Sequence, residues 1–195
     1  MQRRSIIIGL IGTVVSLVSK ATAETSELVV PSFQSGRYQF TVLRPVRELA
    51  SIRLFRLDGK TIDLASLRGK PVLLNFWATW CAACRTELPI LNRLYEERGR
   101  AGLHIIAVAE DSDDRATVQR YVQVLNLRSL PIFWGPNGYV AFSDHDNKKN
   151  APFALYGMPI TYLITASGQV VGYMPGAADW TSEAAGRLIE YLRNS

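Results

Sequence analysis

The chain has 195 residues, 48% of them hydrophobic and 20% charged, with a formal net charge of +5. That balance excludes a disordered chain, and the presence of only two cysteines excludes a multi-disulfide scaffold and a zinc site closed by four cysteines. Arg3, Arg4 and Lys20 face no acid within residues 1–23, so the remainder carries only +2 and lacks the electrostatic footprint of a nucleic-acid binder.

The N-terminus has the three parts of an export signal. Arg3 and Arg4 form a basic start, Ile6 to Val18 an apolar stretch, and Ala21-Thr22-Ala23 a small-residue cleavage site. The Arg3-Arg4 pair also resembles a twin-arginine signal. A spanning helix needs about 20 apolar residues. The 13 residues from Ile6 to Val18 therefore exclude a polytopic membrane protein. Residues 1–23 are expected to be cleaved after Ala23, or to stay as a single membrane anchor. Either outcome puts the body in the periplasm or on the outer face of the inner membrane, where disulfides persist.

Residues 24–47 read as a polar extension with one or two short strands around Arg37–Leu43. Ile52–Arg56, Asp58-Gly59 and Lys60–Ile62 predict a hairpin with a D-G turn. Val72–Trp77 is an uninterrupted apolar run apart from Asn75, which predicts a buried strand. A helix follows over Cys81–Glu97, with Leu88, Leu91, Leu94 and Tyr95 on its inner face and Pro89 inside it. Ile105–Ala109 predicts a second buried strand, and Val118, Tyr121, Val122 and Leu125 recur at helical spacing. Leu130–Trp134 can form a third strand, and Ser143–Asn150 is a polar loop. Thr161–Ile164 and Gln169–Tyr173 flank Ser167-Gly168 as a hairpin. Glu183–Arg193 is a closing helix capped by Thr181 or Ser182. This order predicts one α/β domain, a mixed sheet with helices on both faces.

The chemistry concentrates at Cys81-Ala82-Ala83-Cys84. Cys81 stands where a buried strand turns into a helix. The unpaired N–H groups and the dipole at a helix N-terminus stabilise a thiolate, which is the reactive form of the thiol. Cys84 lies one turn on, within reach of a mixed disulfide formed at Cys81, so the pair can pass between dithiol and disulfide. A purely structural disulfide and half of a metal site are the alternative uses of such a pair.

Phe76-Trp-Ala-Thr-Trp-Cys-Ala-Ala-Cys-Arg85, Leu67-Arg-Gly-Lys-Pro71 and Gly157-Met-Pro-Ile-Thr161 resemble the thioredoxin-like TlpA/ResA/CcmG group. The resemblance covers about residues 50–195 and is greatest to the TlpA branch, as Asn126–Leu130, Ala154–Pro159 and Gly176–Trp180 suggest. It implies a thioredoxin-like domain over residues 48–195, with an N-terminal β-hairpin and a central strand–helix insertion at about Asp111–Phe142. It also implies a protein disulfide reductase that takes electrons from a membrane thiol carrier. Its clients would be proteins of cytochrome oxidase copper-centre assembly or apocytochrome c. No cofactor and no metal is implied. The extra cysteine pair of some TlpA proteins is absent.

The resemblance further implies that Pro159 is cis and faces the cysteines, presenting the backbone of Met158 to an extended client. Thioredoxins keep a buried Asp where this chain has Asn75, which cannot ionise. Another group must then accept the Cys84 proton, or water must do so unaided. Glu110, with Asp111 as its neighbour in register, is the expected acid, because the strand Ile105–Ala109 should end beside the pair. Glu110–Asp114 can equally be a solvated helix cap. Trp80 is expected to cover the pair and meet partners, Trp77 to pack in the core and Trp180 to dock the last helix. His104 and His145 read as surface residues. Two other functions use the same cysteines, a thiol peroxidase and a Cu(I)-binding chaperone drawing on Met158 or His145. The first lacks the proline expected four residues before Thr79, and the second lacks the usual C-x-x-x-C spacing.

Overall fold

The computed structural model describes residues 29–99, 101–111, 115–135, 139–143, 147 and 150–195. The expected signal or anchor and His145 lie outside these residues. Two short strands, β1 (Gln34–Ser35) and β2 (Tyr38–Gln39), pair with each other and lead into β3 (Thr41–Glu48). The D-G hairpin forms as expected from β4 (Arg53–Arg56) and β5 (Thr61–Asp63), followed by a 3-10 turn at Leu64–Leu67. Next come β6 (Val72–Trp77), α1 (Ala82–Arg98), β7 (His104–Ala109), α2 (Arg115–Val124) and β8 (Ile132–Trp134). Two short strands, β9 (Ala141–Phe142) and β10 (Phe153–Ala154), precede β11 (Ile160–Ile164), β12 (Gln169–Pro175) and α3 (Glu183–Asn194). Ser182, one of the two expected caps, accepts the Ala185 N–H at the start of α3.

The main sheet has eight strands in the order β3-β12-β11-β6-β7-β8-β4-β5. The β6, β7 and β8 strands run parallel and their neighbours antiparallel. This is a thioredoxin-like mixed sheet, with the hairpin at one edge and α2 with β8 inserted between its halves. The stretch read as an extension enters the sheet, because Thr41–Glu48 pairs with β12 as the opposite edge strand. All of its residues except Leu43 are exposed, which obscures a strand signal based on burial.

Strand side chains alternate between two faces. Leu73 and Trp77 on β6, with Ile105, Ala107 and Ala109 on β7, join one apolar cluster. Val72, Leu74 and Phe76, with Ile106 and Val108, join the other. The helices do not divide between the faces as expected. Leu88, Leu91 and Leu94 of α1, Val118 of α2, and Leu188, Ile189 and Leu192 of α3 all pack into the first cluster. Each fully buried Leu contributes about 1.5–3 kcal/mol by leaving water. Among the described residues, the second face is covered by the 3-10 turn through Leu64 and by Val140, Ala141 and Phe153 around the parallel β9–β10 pair. Among the described residues, no α-helix contributes a buried side chain to this second cluster. Among the described residues, no helix is long and apolar enough to cross a membrane.

Candidate active site

Cys81 and Cys84 are joined as a disulfide with their Cα atoms 5.3 Å apart. Cys81 is the N-cap of α1, and its Sγ accepts the Cys84 N–H at 3.1 Å. A donor of the first helical turn therefore already points at the sulfur that would carry the negative charge after reduction. Cys81 is 6% exposed and Cys84 is fully buried. Cys81 is therefore the sulfur nearer to solvent and Cys84 the more enclosed one. Alkylation of the reduced protein at neutral pH would test this order.

The turn ahead of the pair is held at both ends. The Cys81 N–H donates to Ala78 O at 3.1 Å, and Asp111 accepts the Thr79 N–H and hydroxyl. Between them Trp80 is 71% exposed. Trp77 is wholly buried and stacks on Tyr121, with ring centroids 5.8 Å apart. The Met158–Pro159 bond is cis, and Met158 packs against the cluster that contains both cysteines. The Pro159 carbonyl accepts the Gly176 N–H, which ties it to the end of β12.

Glu110 is not brought to the pair. It follows Ile106 and Val108 in the strand's alternation, so its side chain turns to the second face, away from the cysteines. A Cβ placed on Gly135 would fall 2.8 Å from both Glu110 Oε1 and Val108 Cγ1 and 3.4 Å from Val140 Cγ2. Burial, with a smaller contribution from the Asp111 charge, pushes the Glu110 carboxyl up to about 8. Its Oε1 is buried with no hydrogen-bond partner among the described residues. The expectation that β7 ends beside the pair holds for the strand, but the side-chain parity points its acid the wrong way. Asp111, one residue on, faces the cysteine turn.

The acid near Cys84 is Glu87, which sequence reasoning missed. It lies three residues on along α1, on the same helix face, and is 1% exposed. Its Oε1 accepts the Ala178 N–H at 3.0 Å and the Trp180 indole N–H at 2.8 Å, while Oε2 accepts Asn75 Nδ2 at 2.9 Å. Asn75 also donates to Thr161 Oγ1 at 2.9 Å. Burial pushes the Glu87 carboxyl up to about 7, against the opposing pull of those three donors. Asn75 therefore holds an acid in place of being one. Trp180 docks beside Phe33 at 5.3 Å between ring centroids and also anchors that acid. The available signal was the stripe Cys84, Glu87, Leu88, Leu91, Leu94, in which a Glu sits among core positions.

His104 is half-buried, and burial followed by the Lys70 charge lowers its pKa. A cavity of about 830 Å³ lies elsewhere, lined by Arg53, Phe55, Trp134, Gly135, Tyr139 and their neighbours. Neither cysteine lines it. Beside the pair, Trp80 is exposed and Met158 is partly buried against the cluster that holds both cysteines.

The AhpC/TSA family model matches residues 46–173. The thiol-disulfide oxidoreductase ResA of Oceanobacillus iheyensis is 36% identical over 121 residues, 62% of this chain and 57% of that protein. The thiol:disulfide interchange protein DsbE of Pseudomonas fluorescens biotype C is 34% identical over 131 residues, 66% of each chain. The chain thus spans somewhat under two thirds of these relatives' own lengths. A crystal structure of a thiol:disulfide interchange protein of the thioredoxin family from Chlorobium tepidum superposes with a TM-score of 0.60 at 24% identity. That match covers 77% of this chain and 99% of the other, and it shows the shared fold.

Proposed function

The chain belongs to the AhpC/TSA family, with homologues named as thiol-disulfide oxidoreductases of the ResA and DsbE types, and from that premise we propose that it reduces disulfides in client proteins outside the cytoplasm. The observation that carries this reading is the Cys81–Cys84 pair at the N-terminus of α1, with the shallower sulfur accepting a helix N–H. The Cys81 thiolate attacks one sulfur of a client disulfide, forming a mixed disulfide and releasing the other sulfur as a thiolate. Cys84 then loses its proton and attacks Cys81 Sγ, expelling the client's second thiolate. The two electrons pass from the Cys81/Cys84 dithiol to the client, and the pair closes as the disulfide.

Glu87 is the proton acceptor we assign to Cys84. A carboxyl poised near neutrality takes up a proton effectively at neutral pH. Trp80 and the Met158 backbone ahead of cis-Pro159 form the ledge for an extended client chain. Re-reduction falls to a membrane thiol carrier, and the export signal read in residues 1–23 supports a periplasmic site of action. Clients of cytochrome oxidase copper-centre assembly or cytochrome c maturation are the class that the TlpA/ResA/CcmG resemblance favours.

Cys84→Ser should arrest exchange at the mixed disulfide and retain the client on Cys81. Capture of a cysteine-containing partner that is released by dithiothreitol supports the reading. Insulin reduction measured beside peroxide consumption and Cu(I) titration separates it from a peroxidase and a copper chaperone. A protein that consumes peroxide but leaves insulin oxidised would overturn it.

A further inference from the structure

Asp111 is a buried acid, 1% exposed, just past the end of β7. It faces Thr79, 32 residues earlier on the turn that joins β6 to α1. Both carboxyl oxygens lie 3.1 Å from the Thr79 nitrogen, and the Thr79 hydroxyl donates to Oδ1 at 2.5 Å. A buried carboxylate is costly unless donors satisfy it. Here a single turn residue supplies these donors, so they satisfy Asp111 only while the turn keeps its shape. The far end of the same turn is fixed by the Cys81 N–H on Ala78 O. Trp80 stands between the two fixed points, 71% exposed and next to the nucleophile.

We propose that Asp111 is a positioning residue acting through Thr79, fixing the turn so that the Trp80 indole and the Cys81 sulfur are offered to a client together. This deepens the thiol–disulfide reading above and rests on it. Among the described residues, the hydrogen bonds of Asp111 go to Thr79 and not to either cysteine, so its role is one of position. Its effect should be seen where Trp80 matters, on a polypeptide disulfide, and should fade where only the thiol matters, on a small disulfide.

The test compares insulin with 5,5′-dithiobis(2-nitrobenzoate) as substrates for the full chain. Exposed tryptophans at contact surfaces commonly carry tenfold or larger effects, so Asp111→Ala should lower kcat/KM for insulin by about tenfold, chiefly through KM, and for the small disulfide by only about twofold. Thr79→Val should move the same ratio in the same direction by less. Asp111→Asn keeps one acceptor for Thr79 and should fall between wild type and alanine; it also serves if the alanine variant does not fold. In a Trp80→Ala background, Asp111→Ala should add less than about a further twofold on insulin, because residues acting as one unit are not additive. Equal losses on both disulfides, full additivity with Trp80→Ala, or no loss at all would overturn the assignment. A wild-type protein inactive on both disulfides would instead overturn the parent reading.

Discussion

Two acids on opposite faces of one sheet, one buried and one partly so, show how little a raised pKa says without geometry. Glu87 and Glu110 are both pushed toward neutrality by burial, to about 7 and about 8. Glu87 lies on the helix-covered face, one turn beyond Cys84, with donors from Asn75, Ala178 and Trp180 on its two oxygens. Glu110 lies on the other face, near Val108, Gly135 and Val140. The first is held in a fixed orientation beside a thiol. The second is close to the cysteines in chain topology but turned away from them. Placement, more than the shift, is why the proposed role falls to Glu87.

Exchange kinetics give the largest expected contrast. Glu87→Gln should slow insulin reduction at pH 7 by about 10- to 100-fold, the lower part of the range for a lost general base, since water substitutes in part. Glu110→Gln should leave the rate within about twofold. A reversed order would return the role to Glu110 and break the comparison of faces.

The pH dependence of stability should sharpen it. Both acids have folded pKa values above the ordinary carboxylate value of 4.5, so the folded state binds more protons than the unfolded state between that value and about 7 or 8. Their contribution is therefore fully present at low pH and is lost as pH rises through that window. For Glu87 the loss is about 3 kcal/mol at 1.36 kcal/mol per unit. Urea unfolding from pH 5 to 8 should show Glu87→Gln removing the decline below about pH 7, and Glu110→Gln removing the part that continues toward pH 8. A variant whose stability parallels wild type across its window would refute the shift assigned to that acid.

The smallest contrast lies on the second face alone. Gly135→Ala would drive a Cβ to 2.8 Å from Glu110 Oε1 and Val108 Cγ1. It should cost about 1–3 kcal/mol, as overpacking does, with insulin reduction unchanged once the protein is folded. Thermal unfolding and the insulin assay together check this, and shortening Glu110 to Ala should relieve part of the cost.

Sequence patterns were most informative where one signal dominated. The wholly buried run Val72–Trp77, the C-x-x-C at its exit and the stripe of Leu88, Leu91 and Leu94 each have a single structural solution, and all three form as expected. The edge strand Thr41–Glu48 was obscured because its residues are mostly exposed and pairing with β12 is a long-range event. The second face was misjudged because helices were expected on both faces, whereas the buried apolar side chains of all three described helices pack into the first cluster. Glu87 was missed because a charged residue on a helix is ordinarily assigned to solvent, and only tertiary contacts with Asn75 and Trp180 reveal it as interior. Glu110 was misplaced by attending to where its strand ends without counting its parity with Ile106 and Val108.

Cys81 caps the helix in which Cys84 lies, and this has a thermodynamic consequence. The two sulfurs are only three residues apart, so the bond restrains the unfolded chain little. By a closed cycle, any difference in unfolding free energy between oxidised and reduced protein equals the difference in disulfide potential between the folded and unfolded chain, with 30 mV for every 1.4 kcal/mol or so. The native fold opposes two influences in that cycle. The helix N-terminus favours the thiolate at Cys81, while the buried Glu87 disfavours a second negative charge at Cys84. Calorimetry of the two redox forms therefore weighs one against the other, and if the oxidised form is the more stable, folding makes the pair a stronger reductant than it is in the unfolded chain.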